Sequence, residues 1–155
     1  MTKLFLSLHV LAAIVTIGPV TVAASMFPPA LRRAHHGPGD PDALTTVRTL
    51  HRICRVYAGV GIAVPVFGFA TASSLGVLGS GWLTASMILT AAAAAVLALM
   101  ILPTQDRELT ALRDGGPRPD VPAAGRLAML TGVFNLLWAT VTVLMIIRPG
   151  STTGA

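Results

Sequence analysis

The sequence predicts an all-α protein, an antiparallel up-down bundle of four transmembrane helices forming a single domain over 1–155, with a cytoplasmic helical extension of the second helix. Three observations predict it. Of the 155 residues 54% are hydrophobic and only 11% are charged, against about 25% charged in soluble domains. The apolar residues, with a mean hydropathy of +0.75, gather into four uncharged stretches, each long enough to cross a ~30 Å hydrocarbon core. The cations, finally, lie almost entirely on two of the three connections. A water-soluble domain is excluded, and the single cysteine, Cys54, rules out an intrachain disulfide.

The first stretch runs from Leu4 to Phe27 and is expected to stop at Pro28-Pro29, because proline removes a helical donor and clashes with the preceding turn. The second, Val56 to Leu78, ends at the turn Gly79-Ser80-Gly81. The third, Trp82 to Leu102, follows at once and is expected to end at Pro103, so the second and third form a tight hairpin. The fourth, Leu127 to Ile147, closes at Arg148-Pro149-Gly150, and Ser151 to Ala155 reads as a frayed tail.

The connections carry their own signals. Asp40-Pro41-Asp42 offers a helix N-cap followed by a first-turn acid, and Thr45, Arg48, Arg52 and Arg55 recur at helical spacing, so the second helix starts in water. Arg48, His51, Arg52 and Arg55 are read as one basic face at headgroup level, with Arg48, Arg52 and Arg55 contacting anionic lipid. In the second long connection Asp106 to Arg113 reads as a short amphipathic surface helix closed by Gly115-Gly116, with Pro117, Pro119 and Pro122 keeping the rest extended. Its acids (Asp106, Glu108, Asp114, Asp120) nearly balance its arginines, which describes a solvated linker.

Orientation follows from the cations. Arg32, Arg33, Arg48, Arg52 and Arg55 flank the first connection and Arg107, Arg113, Arg118 and Arg126 the third, while Lys3 and Arg148 alone sit on the other side. The positive-inside rule then places both long loops in the cytoplasm and both termini outside a plasma membrane. The formal charge of +5 therefore points to membrane lipids and not to nucleic acid. Met1-Thr2-Lys3 before an apolar core and Val22-Ala23-Ala24-Ser25 also resemble a cleavable signal peptide, but the apolar run exceeds the usual core and cleavage would leave the arginine-rich loop outside.

His9 is the ionisable side chain well inside a span, roughly 8 Å below the outer interface at 1.5 Å per residue, and intramembrane ionisable groups face a bundle interior and mark functional sites. Thr71, Ser73, Ser74, Ser86, Met87, Thr142 and Met145 fall at a similar depth on the antiparallel neighbours, so a polar pocket is expected there. Two readings follow: a neutral imidazole bonded to a Thr or Ser hydroxyl, or an axial ligand to haem b that is either five-coordinate or has Met87 or Met145 as sixth ligand. His51 lies at the opposite membrane face and cannot share that haem. His35, His36, His51 and Cys54 invite a metal reading, but their spacing lacks the paired ligands of a closed zinc site. Gly18-Pro19 and Pro65 are read as kinks whose freed carbonyls, near Val15 and Gly61, need another donor. Gly68, Ala72, Gly76 and Ala91 to Ala95 read as close-packing faces, and Asn135 as interhelical glue or, alternatively, a pathway residue. Trp82 belongs at the outer boundary and Trp138 lies deeper.

Leu8-His9-Val10-Leu11, Gly18, and the Phe27-Pro28 exit into an arginine-rich loop resemble small four-helix bacterial membrane proteins of a family without assigned function, itself distantly similar to the copper-resistance D proteins and the small haem-associated protoporphyrinogen oxidases. The resemblance covers the helix count and the first helix, and implies a haem-binding role for His9 alone. Thr16-Ile17 stands where the oxidases carry an aromatic pair, and no span holds a lysine, so protoporphyrinogen chemistry is not carried over. The leading functional expectation is a non-catalytic scaffold or accessory subunit of the plasma membrane with no resident cofactor. The alternatives are a haem b redox protein using His9 and a small transporter or channel, the latter requiring a homodimer or larger membrane complex to build a path.

Overall fold

The computed structural model describes residues 1–37, 39–114 and 121–150. The described residues are helical apart from short turns: α1 Thr2–His36, α2 Pro41–Val60, α3 Ala63–Leu75, α4 Gly81–Ala95, a π-helical segment Val96–Ile101, α5 Leu102–Asp114 and α6 Val121–Ile147. They stack end to end into four antiparallel rods: α1; α2 with α3; α4 with the π segment and α5; and α6. All four are long and apolar enough to cross a membrane, so the chain is a multi-pass membrane protein built as a helical bundle.

The rods are longer than the apolar stretches. The first three have 35, 35 and 34 residues, about 50 Å at 1.5 Å per residue, roughly 20 Å more than a hydrocarbon core. The excess lies at the end bearing the arginine-rich connections. There α2 starts as its sequence dictates, with Pro41 in the first turn and the Asp40 carboxylate accepting from the Asp42 and Ala43 amides at 2.9 and 3.4 Å. At the other end α3 stops at Gly76, whose φ of 67° is left-handed, with Val77 N–H bonded to Ala72 carbonyl at 3.2 Å.

Two expected helix ends are passed through, each with a physical cause. α1 continues through Pro28 and Pro29 to His36. Pro28 has no N–H for the Ala24 carbonyl one turn back, and the Thr131 hydroxyl of α6 donates to that oxygen instead, at 3.4 Å. In the third rod the backbone opens into the π segment just before Pro103, with the Leu102 amide bonded five residues back to Leu97. The wider turn accommodates a proline, and the helix runs on to Asp114. Asp106 to Arg113 is thus the end of the third rod and not a separate surface helix in a solvated linker. Pro122 lies in the first turn of α6, not in an extended segment. Gly115, Gly116, Pro117, Arg118, Pro119, Asp120 and the tail from Ser151 lie outside the described residues.

Between α2 and α3 the rod breaks at Gly61-Ile62. Pro65 cannot donate to the Gly61 carbonyl, which accepts from Val64 N–H at 3.0 Å in a tighter turn. The main core lies in the half nearer the long connections, where Phe27 and Leu31 of α1, Val47 and Cys54 of α2, Ile101, and Leu127 and Phe134 of α6 are buried. A smaller cluster of Ala72, Trp82 and Leu83, bordered by Val77 and Met145, holds the hairpin end. The Arg148 guanidinium lies 5.7 Å from the Trp82 ring centroid and ties the end of α6 to the start of α4. Outward-facing Leu136 and Ile146 are 70% and 76% exposed, the exterior expected of a surface solvated by lipid.

Candidate functional site

His9 does reach another helix, but its partner is backbone. Its Nδ1 lies 2.9 Å from the Val64 carbonyl of α3. A carbonyl only accepts, so Nδ1 is the donor, and of the two neutral tautomers this is the one that leaves the lone pair on Nε2. Gly68 makes this approach available: a Cβ there would come within 2.9 Å of His9 Cε1 and 3.1 Å of Nδ1.

The hydroxyls expected around His9 satisfy themselves on their own helices. Thr71 donates to Phe67 at 2.8 Å, Ser74 to Thr71 at 2.9 Å, Ser86 to Trp82 at 2.8 Å and Thr142 to Trp138 at 2.9 Å. These four donate within their own helices, Ser73 is exposed, and the interhelical bond of His9 goes to a backbone carbonyl in place of the expected Thr or Ser hydroxyl. Met87 faces outward and is 51% exposed, while Met145 borders the Ala72–Trp82–Leu83 cluster. Asn135 acts as glue, its amide 3.4 Å from the Ser25 hydroxyl of α1.

At the end with the long connections, Arg48, Arg52 and Arg55 form an exposed row along α2. His51 is not part of it. Together with Val47, Leu50 and Cys54 it lies on the buried inner face, only 7% exposed, and Nδ1 donates to Gln105 Oε1 across 3.2 Å. Gln105 is fully buried and its amide points at Cys54 Sγ, 3.8 Å away. His51 Nε2 lies 3.6 Å from Asp106, and His35 Nε2 lies 4.0 Å from Glu108. The sequence carried a signal for this arrangement, since 47, 50, 51 and 54 follow the i, i+3, i+4, i+7 pattern of one helix face. Its partner Gln105 falls between the expected end of the third span at Pro103 and the expected surface helix from Asp106, where the sequence predicts no helix to carry it inward. His36 bonds back to the Arg32 carbonyl at 2.6 Å. Among the described residues no three His, Cys, Asp or Glu side chains are placed to hold a metal.

All four rods line a cavity of about 140 Å³ at the level of the Gly61-Ile62 break, with Thr16, Tyr57, Gly61, Leu97, Phe134 and Trp138 among its walls. The Phe134 and Trp138 rings meet edge to face, with centroids 6.3 Å apart.

Compared with protein-family models, curated proteins and solved structures, the chain matches none.

Proposed function

We propose that this is a plasma-membrane protein with both termini outside, acting as a non-catalytic scaffold or accessory subunit that anionic lipid holds at the cytoplasmic surface. The observation that carries this reading is the two-faced α2 beyond the apolar stretch. One face is locked inward through His51, Gln105 and Cys54, and the other presents Arg48, Arg52 and Arg55 outward. A packed helical platform projecting from the bilayer, ringed by cations each worth about 1 kcal/mol at an anionic surface, can support a partner without chemistry of its own. Two measurements test it. A thiol placed by Thr45→Cys should resist a membrane-impermeant maleimide in intact cells and react in inverted vesicles. Replacing the three arginines by glutamine should lower the anionic lipid that co-purifies; labelling from outside, or unchanged lipid, refutes the reading.

A second reading is a haem b protein, favoured by the His9 tautomer. Nδ1 held on a carbonyl with the Nε2 lone pair left over is the donor state an axial ligand requires, and the resemblance of the first helix points the same way. Met87 faces outward, which leaves either a five-coordinate haem on His9 or Met145 as the candidate sixth ligand. Bound haem would supply one-electron chemistry, and the protein's part would be to orient the imidazole through Val64 and Gly68. The visible spectrum of protein purified from haem-replete cells decides between the readings: a Soret band lost on His9→Ala supports haem, and a colourless preparation refutes it.

A further inference from the structure

The second rod carries the arginine row and also forms one wall of the central cavity. Along α2 and the start of α3 the exposed positions include Arg48, Arg52, Arg55, Gly59, Ile62 and Val66, spaced as one helical stripe that crosses the Gly61-Ile62 break. Arg55 to Ile62 is seven residues, about 10 Å along the axis. Gly59 leaves a bare strip of backbone between them, with nothing within 4 Å of where its Cβ would stand. Ile62, 67% exposed, then forms the rim of the cavity with Pro65 and Ala94.

The opening exists because rods two and three separate there. They pack closely where α2 meets α5, whereas α3 and α4, although joined by the hairpin, are not among the extensively packed pairs. The break at Gly61-Ile62 and the π segment carrying Leu97 face each other across the gap. The half-open space, about 140 Å³ and walled chiefly by apolar side chains, has room for a group about the size of a benzene ring. It therefore suits a short length of hydrocarbon and disfavours water. It opens at bilayer depth, where acyl chains are the solvent.

We propose that the cavity and the row are one binding site for an anionic phospholipid, with the headgroup phosphate on Arg52 and Arg55 and one acyl chain passing over Gly59 into the space between Ile62 and Ala94. Arginine matches phosphate in charge and in its forked donors, and the apolar walls match the chain. The site would fix a lipid as part of the bundle, filling the gap between the second and third rods. It rests on the anionic-lipid reading above and goes beyond it by assigning a place to the chain.

Trp138 lines the cavity and reports on its contents. The Trp82→Phe protein, whose remaining indole is Trp138, is reconstituted with phosphatidylglycerol or phosphatidylcholine carrying the same dibrominated acyl chains, each titrated into unbrominated phosphatidylcholine. Brominated phosphatidylglycerol should reach half-quenching at a lipid fraction about tenfold lower, a ratio within what two cations at an anionic surface can supply. Arg52→Gln with Arg55→Gln should equalise the two lipids. Ala94→Phe, which plugs the rim, should abolish the extra quenching while phosphatidylglycerol still co-purifies. Extra quenching that survives Ala94→Phe overturns the cavity assignment and leaves the headgroup reading intact. Equal quenching by both lipids, with co-purified lipid insensitive to the arginines, sinks both. The comparison of lipids with the cavity unaltered holds even if Ala94→Phe fails to fold.

Discussion

The passage of α1 through Pro28 depends on a side chain in another rod, and Thr131→Val isolates that dependence. Thr131 is 3% exposed and its hydroxyl is 3.4 Å from the Ala24 oxygen. Valine keeps the branched shape and removes the donor. Leaving a buried acceptor without a partner costs about 1–3 kcal/mol in soluble interiors, while interhelical hydrogen bonds in membranes average about 0.6 kcal/mol and reach about 1.7. The long O···O distance places this bond toward the membrane values, so the expected cost is about 0.5–1.5 kcal/mol. Thr131→Ser, which keeps the donor, should retain most of the bond. The decisive experiment uses Pro28→Ala, which restores an N–H one turn after Ala24. In that background the carbonyl has a helical partner and Thr131→Val should cost within about 0.3 kcal/mol of nothing, giving a coupling the double-mutant cycle can resolve. Reversible unfolding in bicelles by steric trapping provides the free energies. An equal cost of Thr131→Val in both backgrounds would refute the account of how the helix crosses its prolines.

Other interactions can be read in the same way. Gly68→Ala should destabilise the protein by about 1–3 kcal/mol, because the new methyl overlaps the His9 ring, and His9→Ala in the same chain should relieve most of that; additive effects in the same bicelle assay would contradict the packing described. Gln105→Leu should cost about 1–3 kcal/mol by stripping a buried His51 of its acceptor, and a neutral thermal transition in detergent would show that the His51–Gln105–Cys54 cluster contributes nothing. Removing the Arg148 guanidinium by Arg148→Ala should cost about 0.5–1 kcal/mol through loss of the contact over Trp82, and should also shift Trp82 emission; an unaltered spectrum from a Trp138→Phe background would argue against that contact.

Hydropathy, turn residues and charge placement act locally, so the number of spans, the hairpin, the capped start of α2 and its outward arginines were readable from the residues alone. The burial of His51 was within reach of the same reasoning, since Val47, Leu50 and Cys54 share its face. What could not be read was anything that needs a neighbour to complete it. A proline ends a helix or is carried through it according to whether another segment supplies a donor or the backbone can widen, and Thr131 at Ala24 and the π turn before Pro103 are facts of packing. The partner of His9 is of the same kind: Gly68 is a permissive residue anywhere, and becomes a seat for an imidazole only when α1 lies against α3. The cavity is the furthest from the sequence, because a void is made by four rods failing to meet, and no stretch of residues encodes it singly.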